Sequence, residues 1–217
     1  AGEESTLPVT GAFIAIGHDP RSELVTEQVT LDDEGYVLVE GRSSRTNLDG
    51  VWALGDITPG HALAHRAFEQ GITIAEKIAG ADPKPVLDDT VPQVVFSFPE
   101  AASVGLTLDQ AKAREDVVEP KETAYPMLSN ARMLMSGEGG SMTVVSGAFA
   151  NNPDMQVVLG VHIVSPIASD LIAEAEQLVG NRVPLADAAR LIHPHPTFSE
   201  TLGEALLKAD GRPLHTR

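Results

Sequence analysis

The sequence predicts an α+β fold, in which an antiparallel sheet with flanking helices is preceded by a smaller segment. Strands and helices in the second half of the chain do not strictly alternate, as they would in a doubly wound parallel sheet. A proline-rich stretch separates that half from the first. The second half contains three apolar runs typical of strands and four patterns typical of helices. The strand patterns are VVFSF, MTVVSGAFA and VVLGVHIV, and the helical patterns are LTLDQAKAR, SDLIAEAEQLVG, PLADAARLI and SETLGEALLKA.

The first segment, from residue 11 to about residue 80, combines short apolar runs with turns. AFIAIG and VWALGD predict buried strands, and VTLDDEGYVLVE predicts a strand pair that turns at Glu34-Gly35. From about His61 apolar residues recur every three or four positions, which predicts a helix with Gly80 at its C-cap. The recurring residues are Ala64, Phe68, Ile72, Ala75 and Ile78.

Residues 81–92 predict a linker. They include Pro83, Pro85 and Pro92 among acidic residues. Proline neither continues a helix nor fits a central strand, so regular structure is expected to stop here and resume at residue 93.

The composition excludes several classes of protein. Of the 217 residues 42% are hydrophobic, which is enough for one large core or two modest ones. A net charge of −16 repels phosphate backbones and anionic lipids, so we expect no nucleic-acid and no membrane partner. The sequence has no cysteine, which excludes a disulfide scaffold and a thiolate metal site. With no apolar run near the roughly 18 residues of a membrane helix and no secretory signal pattern, we expect a cytoplasmic protein.

The segment IHPHPTFSE, residues 192–200, is the strongest candidate for chemistry. His195 lies between Pro194 and Pro196, which restrict its backbone on both sides. Glu200 falls in the first turn of a predicted helix, where its carboxylate can accept a hydrogen bond from the imidazole and favour the protonated ring. The pair is therefore a candidate general base.

Two other interpretations of this segment stay open. Thr197-x-x-Glu200 also fits a capping box, which needs no catalysis. His193 and His195 are a weak candidate for a metal site, because they are only two residues apart and no third ligand is near in sequence.

A second candidate site lies at Gly55-Asp56. A carboxylate after a strand is well placed to accept hydrogen bonds from sugar or ribityl hydroxyls. The helix that opens at HALAH presents N–H groups and a partial positive charge to an anion. The dipeptide alone is not specific, since turns contain many of them.

Three segments together resemble the pyridine nucleotide–disulfide oxidoreductases. TNLDGVWALGD with HALAHRAFEQGITIAEKIAG resembles the last flavin-binding stretch of that family. VPQVVFSFPEAASVGLTLDQAK resembles the opening of its dimer-interface domain, and LGVHIVSPIASDLIAEA with HPHPTFSETLGEAL resembles the end. The match is colinear from about Gly11 to Lys208. It favours the dihydrolipoamide dehydrogenases, with mycothiol- and glutathione-type reductases as competitors. The segment IAIGHDP resembles the bacterial thioredoxin reductases more than the usual IGRxP, which leaves the subfamily open.

The resemblance implies a partial FAD-binding domain at residues 1–80, a linker at 81–92 and an antiparallel-sheet dimer-interface domain at 93–217. It implies FAD and NAD as cofactors of the intact enzyme, a dihydrolipoyl or other dithiol substrate, and a homodimer in which the histidine completes the partner's active site. The implied catalytic residues are His195 as base and Glu200 as its orienting group. The implied flavin-binding residues are Gly55, Asp56, Leu63, Ala64 and His65.

The family's Gly-rich flavin fingerprint and redox-active Cys-x-x-x-x-Cys pair do not occur in the sequence. Without cysteine no dithiol–disulfide exchange can run on this chain. We therefore expect a truncated piece of such an enzyme that retains no FAD and is inactive alone. The alternative is a dimerisation module that serves only assembly. We also expect a hydrogen bond between His195 and Glu200 and a cis His195–Pro196 peptide.

Overall fold

A computed structural model describes residues 19–216. The chain divides into two compact units, Ala1–Pro85 and Val86–Arg217. None of the described helices is both long and apolar enough to cross a membrane. The helices and strands, in chain order, are α1 (Ala64–Ile78), β1 (Gln93–Val95), β2 (Glu100–Gly105), α2 (Leu108–Ala113), β3 (Val117–Pro126), α3 (Ala131–Ser136), β4 (Ser141–Phe149), β5 (Asn152–Ser165), α4 (Ala168–Gly180), α5 (Leu185–Ala188) and α6 (Glu200–Ala209).

The second unit is built on one five-stranded antiparallel sheet, in the order β1-β2-β5-β4-β3. α4 packs on β2 and β5, and α6 packs on β3 and β4. Successive residues of a strand point to opposite faces, so Val144 belongs to the large core beneath these helices and Val145 to a smaller cluster on the other face. The predicted α+β fold with an antiparallel sheet and flanking helices is confirmed.

Two strands and one helix of this unit were not predicted from the sequence. β2 consists mostly of small residues, EAASVG, and α3 has only six residues. β3 contains Pro120 and polar residues, and its register shifts between Val118 and Lys121. Proline is tolerated there because β3 is an edge strand and the shift interrupts its hydrogen-bond ladder. The helix predicted from PLADAARLI is shorter than expected, since α5 ends at Ala188.

The first unit contains less regular structure than the sequence suggested. The predicted strand VWALGD is wrong, because only Trp52 forms an isolated bridge, to Arg45, before a 3-10 turn at Gly55–Ile57. The predicted strand pair at residues 29–40 is reduced to a turn with one bridge, Leu31 to Val37. The strand predicted at residues 12–17 lies outside the described residues.

The predicted helix is confirmed as α1, and Gly80 follows its C-cap Ala79 with a positive φ of 89°. Its apolar stripe, however, is exposed. The buried residues of α1 are Arg66, Thr73 and Ile74. Two of these three are polar, so apolar periodicity could not identify the face that packs. The exposed α1 stripe comprises Ala64, Phe68, Ile72, Ala75 and Ile78.

Candidate active site

The segment that carries His195 connects α5 to α6 and forms no helix or strand. Its backbone is set by Pro194 and Pro196, and the His195–Pro196 peptide is cis, as predicted. The His195 side chain is 71% exposed. The imidazole is therefore presented on the surface of the second unit while its backbone is restrained on both sides.

Glu200 contacts both groups that the sequence offered as alternatives. Its Oε1 lies 2.8 Å from Nδ1 of His195, and its Oε2 accepts the N–H of Thr197 at 2.7 Å. The predicted hydrogen bond between His195 and Glu200 is confirmed. The bond from the Thr197 N–H to Glu200 matches the backbone half of the predicted capping box, but the N-cap of α6 is Ser199, which makes no side-chain cap bond. The Thr197 hydroxyl bonds instead to the carbonyl of Pro194, at 2.6 Å. Glu200 thus contacts both His195 and the Thr197 backbone, while the predicted capping box is not formed.

The carboxylate determines which ring nitrogen of His195 carries a proton. Burial alone would raise the pKa of Glu200, but the hydrogen bonds from the Thr197 N–H and the imidazole outweigh it and hold that pKa below its usual range. An ionised carboxylate only accepts hydrogen bonds, so Nδ1 of His195 is the donor. In the neutral ring, Nε2 then bears the lone pair, and among the described residues it has no hydrogen-bond partner.

Asn130 holds the other side of the same segment. Its Nδ2 donates to the carbonyl of Thr197 at 3.1 Å, while its Oδ1 accepts the N–H of Met133 and caps α3. The backbone of Thr197 is therefore hydrogen-bonded on both sides, through its N–H to Glu200 and through its C=O to Asn130. Sequence reasoning missed Asn130, because it is 67 residues away from Thr197 and no local motif connects them.

His193 differs from His195 in its hydrogen-bond partner and in its exposure to solvent. Its Nε2 lies 2.8 Å from Oε1 of Glu174, on α4, and only 9% of its side chain is exposed. The two histidines thus bond to different carboxylates. Among residues 19–216 no group of three metal-ligating side chains occurs.

The second set of predicted site residues lies in the first unit. Gly55 has a φ of 70°, and a Cβ added to it would lie 3.1 Å from Cβ of Ala67, so both conformation and packing favour glycine. The N–H of Gly55 donates to the Gln70 side chain at 2.8 Å, which joins the turn to α1. Asp56 follows with an exposed side chain.

The predicted backbone donors around Leu63, Ala64 and His65 lie at the start of α1. Leu63 is the N-cap, and no side chain caps the helix. The N–H of Leu63 donates to the carbonyl of His61 at 3.0 Å. Ala64 and His65 are the first residues of the helix, where N–H groups lack helical acceptors.

A buried arginine shapes this loop, and sequence reasoning missed it. Arg66 donates to the carbonyls of Pro59 and His61, at 2.8 and 3.4 Å. The guanidinium thereby ties the loop to the first turn of α1. The burial of Arg66 could not be predicted, because a charged residue within a helical pattern ordinarily indicates an exposed position.

Two family descriptions match the chain. "Pyridine nucleotide-disulphide oxidoreductase, dimerisation domain" matches residues 91–206, and "Pyridine nucleotide-disulphide oxidoreductase" matches residues 1–71. The chain belongs to this family. Its members depend on FAD and NAD(P).

Within this family, the chain is similar to curated proteins named dihydrolipoyl dehydrogenase. The chain is 36% identical over 219 residues to the dihydrolipoyl dehydrogenase of Cupriavidus necator and 35% identical over 216 residues to one from Bacillus subtilis. It is also 36% identical to the mitochondrial dihydrolipoyl dehydrogenase 2 of Arabidopsis thaliana. Each alignment covers 99% of this chain but only 41–44% of the relative. The chain thus spans less than half the length of these relatives.

Solved structures agree with this assignment. The crystal structure of LpdA from Mycobacterium tuberculosis matches with a TM-score of 0.77 at 29% identity, over 88% of this chain and 40% of that one. The HOCl-induced flavoprotein disulfide reductase RclA from Escherichia coli matches with a TM-score of 0.68 at 20% identity, over 82% of this chain and 40% of that one. At that identity the second likeness concerns the fold alone.

Proposed function

We propose that this chain supplies the dimer interface and the histidine–glutamate base of a dihydrolipoyl-dehydrogenase-type oxidoreductase that uses FAD and NAD. The observation that carries the proposal is the 2.8 Å pair of His195 and Glu200 on an exposed, proline-restrained segment. The relatives named dihydrolipoyl dehydrogenase favour this subfamily over the mycothiol- and glutathione-type reductases.

His195 acts as the base towards a dithiol substrate. Because Nδ1 donates to Glu200, Nε2 accepts the proton from a substrate S–H and leaves a thiolate. The new positive charge on the ring lies next to the Glu200 carboxylate, which stabilises it. The Thr197 N–H keeps that carboxylate in place during the transfer.

The first unit supplies part of the flavin site. The Asp56 carboxylate suits the hydroxyls of a ribityl chain as an acceptor, and the partial positive charge at the start of α1, at Ala64 and His65, suits an electron-rich ring edge. Gly55 and Leu63 shape the backbone on either side. A flavin held there would supply the two-electron acceptor that oxidation of the dithiol requires.

Assembly completes the proposal. We place residues 1–80 in the flavin-binding part, 81–92 in a linker and 93–217 in the interface domain of a cytoplasmic homodimer. In that dimer the exposed His195 serves the partner's active site. The sequence holds neither the Gly-rich flavin fingerprint nor a cysteine, so we propose that the chain alone retains no flavin and carries out no disulfide exchange. The same lack of cysteine favours a second candidate, a dimerisation module without catalysis.

The test substitutes His195 in an intact enzyme that carries this sequence as its C-terminal half. His195→Gln should lower turnover with the dithiol by about 10²-fold or more, with flavin content unchanged. His215→Gln is the matched control, since His215 is also exposed and lies 2.8 Å from a carboxylate of α6, that of Glu204. Turnover near wild type in His195→Gln would leave the dimerisation module as the better account.

A further inference from the structure

The segment between α5 and α6 contains a second histidine that the proposed proton transfer does not use. We propose that His193, held by Glu174 and seated against Gly203, is a positioning residue that sets the orientation of the His195–Glu200 pair. This inference rests on the proposed function and extends it to a second histidine–carboxylate pair.

Glu174 anchors His193 to a well-packed helix. Glu174 belongs to α4, which packs on β2 and β5 and places Ala175 and Leu171 in the large core. The backbone that carries the Glu174 carboxylate is therefore fixed by packing. The carboxylate lies 2.8 Å from Nε2 of His193, whose imidazole is largely buried. The hydrogen bond to Glu174 raises the pKa of His193, against an opposing effect of burial.

The second support is independent of charge. A Cβ added to Gly203 would lie 2.6 Å from Nδ1 and 3.0 Å from Cε1 of His193, closer than real side chains pack. Glycine is disfavoured in the interior of a helix, yet Gly203 lies within α6, where it leaves room for the imidazole ring of His193. Gly203 follows Glu200 by three residues, so both are on the same face of α6.

These contacts fix both ends of the exposed Pro-His-Pro stretch. His193 ties its start to α4 and α6, and the Thr197 peptide ties its end to Glu200 and Asn130. The prolines on either side of His195 leave little backbone freedom to absorb a displacement. Movement of the His193 ring is therefore passed on to the distance between Nδ1 of His195 and Glu200.

The test on the chain measures the His195 tautomer by ¹⁵N NMR of the imidazoles. Glu174→Gln, Gly203→Ala and His193→Leu should each reduce the Nδ1–H tautomer of His195, while His193→Gln, which keeps a donor to Glu174, should restore much of it. Glu204→Gln, which breaks the comparable pair of His215 on α6, is the control and should leave it unchanged. Should Gly203→Ala fail to fold, Glu174→Gln carries the test alone.

In the intact enzyme, Glu174→Gln should lower kcat for the dithiol by roughly 10- to 100-fold, with KM and flavin content near wild type. A wild-type tautomer and kcat in Glu174→Gln and His193→Leu would overturn the inference. If His195→Gln still abolished turnover, the proposed function would stand without it. If His195→Gln also left turnover unchanged, the proposed function would fail as well.

Discussion

The two units of the chain differ in how much of their own apolar surface they bury. The second unit has a large core in which residues of the sheet, α4 and α6 pack together, with Val161, Leu202 and Leu206 almost inaccessible to solvent. The buried cluster described in the first unit comprises Val29, Val37 and Ala53, and the α1 stripe is exposed. An apolar face left in water contributes nothing to folding. The second unit therefore carries its own stability, whereas the described part of the first unit is organised mainly by turns and polar contacts.

Hydrogen exchange should show the largest difference between the units. The amides of Leu38 and Ala53 are hydrogen-bonded, as are those of β4 and β5, so the comparison isolates the stability of each unit. We expect protection of Val144 and Val161 to exceed that of Leu38 and Ala53 by about 10³-fold. Equal protection factors, measured by NMR, would mean that the first unit is as stable as the second.

A core truncation in the second unit comes next in size. Leu202→Ala should lower the free energy of unfolding by about 2–5 kcal/mol, because the side chain is 1% exposed and its removal leaves a cavity. Ile192→Ala is the control, since Ile192 is 96% exposed, and should change it by less than about 0.5 kcal/mol. Urea denaturation measures both, and similar losses would contradict the assignment of the core.

The pH dependence of the second unit should have two limbs. The folded pKa of Glu200 is lowered below 4.5, so its contribution is present above about pH 4.5 and is lost as the pH falls through the folded value. The folded pKa of His193 is raised above 6.5, so its contribution is complete below pH 6.5 and is lost as the pH rises through the folded value.

These two groups therefore stabilise the unit most between about pH 4.5 and 6.5. Glu200→Gln should flatten the acid limb and His193→Gln the alkaline limb, each by about 1 kcal/mol in urea titrations at several pH values. A limb that survives its own substitution must belong to other groups.

The exposed α1 stripe should give the smallest change in stability. Phe68→Ser should alter the free energy of unfolding by less than about 0.5 kcal/mol, because Phe68 is 71% exposed. It should nevertheless reduce binding of an apolar dye. Ile74→Ser, on the buried face of the same helix, is the contrast and should destabilise the first unit clearly. Equal effects at the two positions would mean that the stripe is covered in solution.

Local sequence patterns predicted the parts of the molecule in which neighbours along the chain decide the outcome. The periodic apolar residues of α4 and α6 predicted both helices, since one face of each packs on the sheet. The contact between His195 and Glu200 was predicted from their five-residue separation across a helix start together with the family resemblance. The exposed stripe shows the limit of this reasoning, since periodicity in α1 identified a helix but not the face that is buried.

Only the tertiary structure decided the contacts between distant residues. Asn130 reaches Thr197 across 67 residues, and Glu174 reaches His193 across 19. Both contacts depend on where the sheet places α3 and α4, and no local pattern encodes that distance. A polar side chain has no periodicity of its own, so its partner is known only once the backbone brings the two together. That is why the sequence alone identified the pair of His195 and Glu200, while the groups that hold the two in place came from the fold.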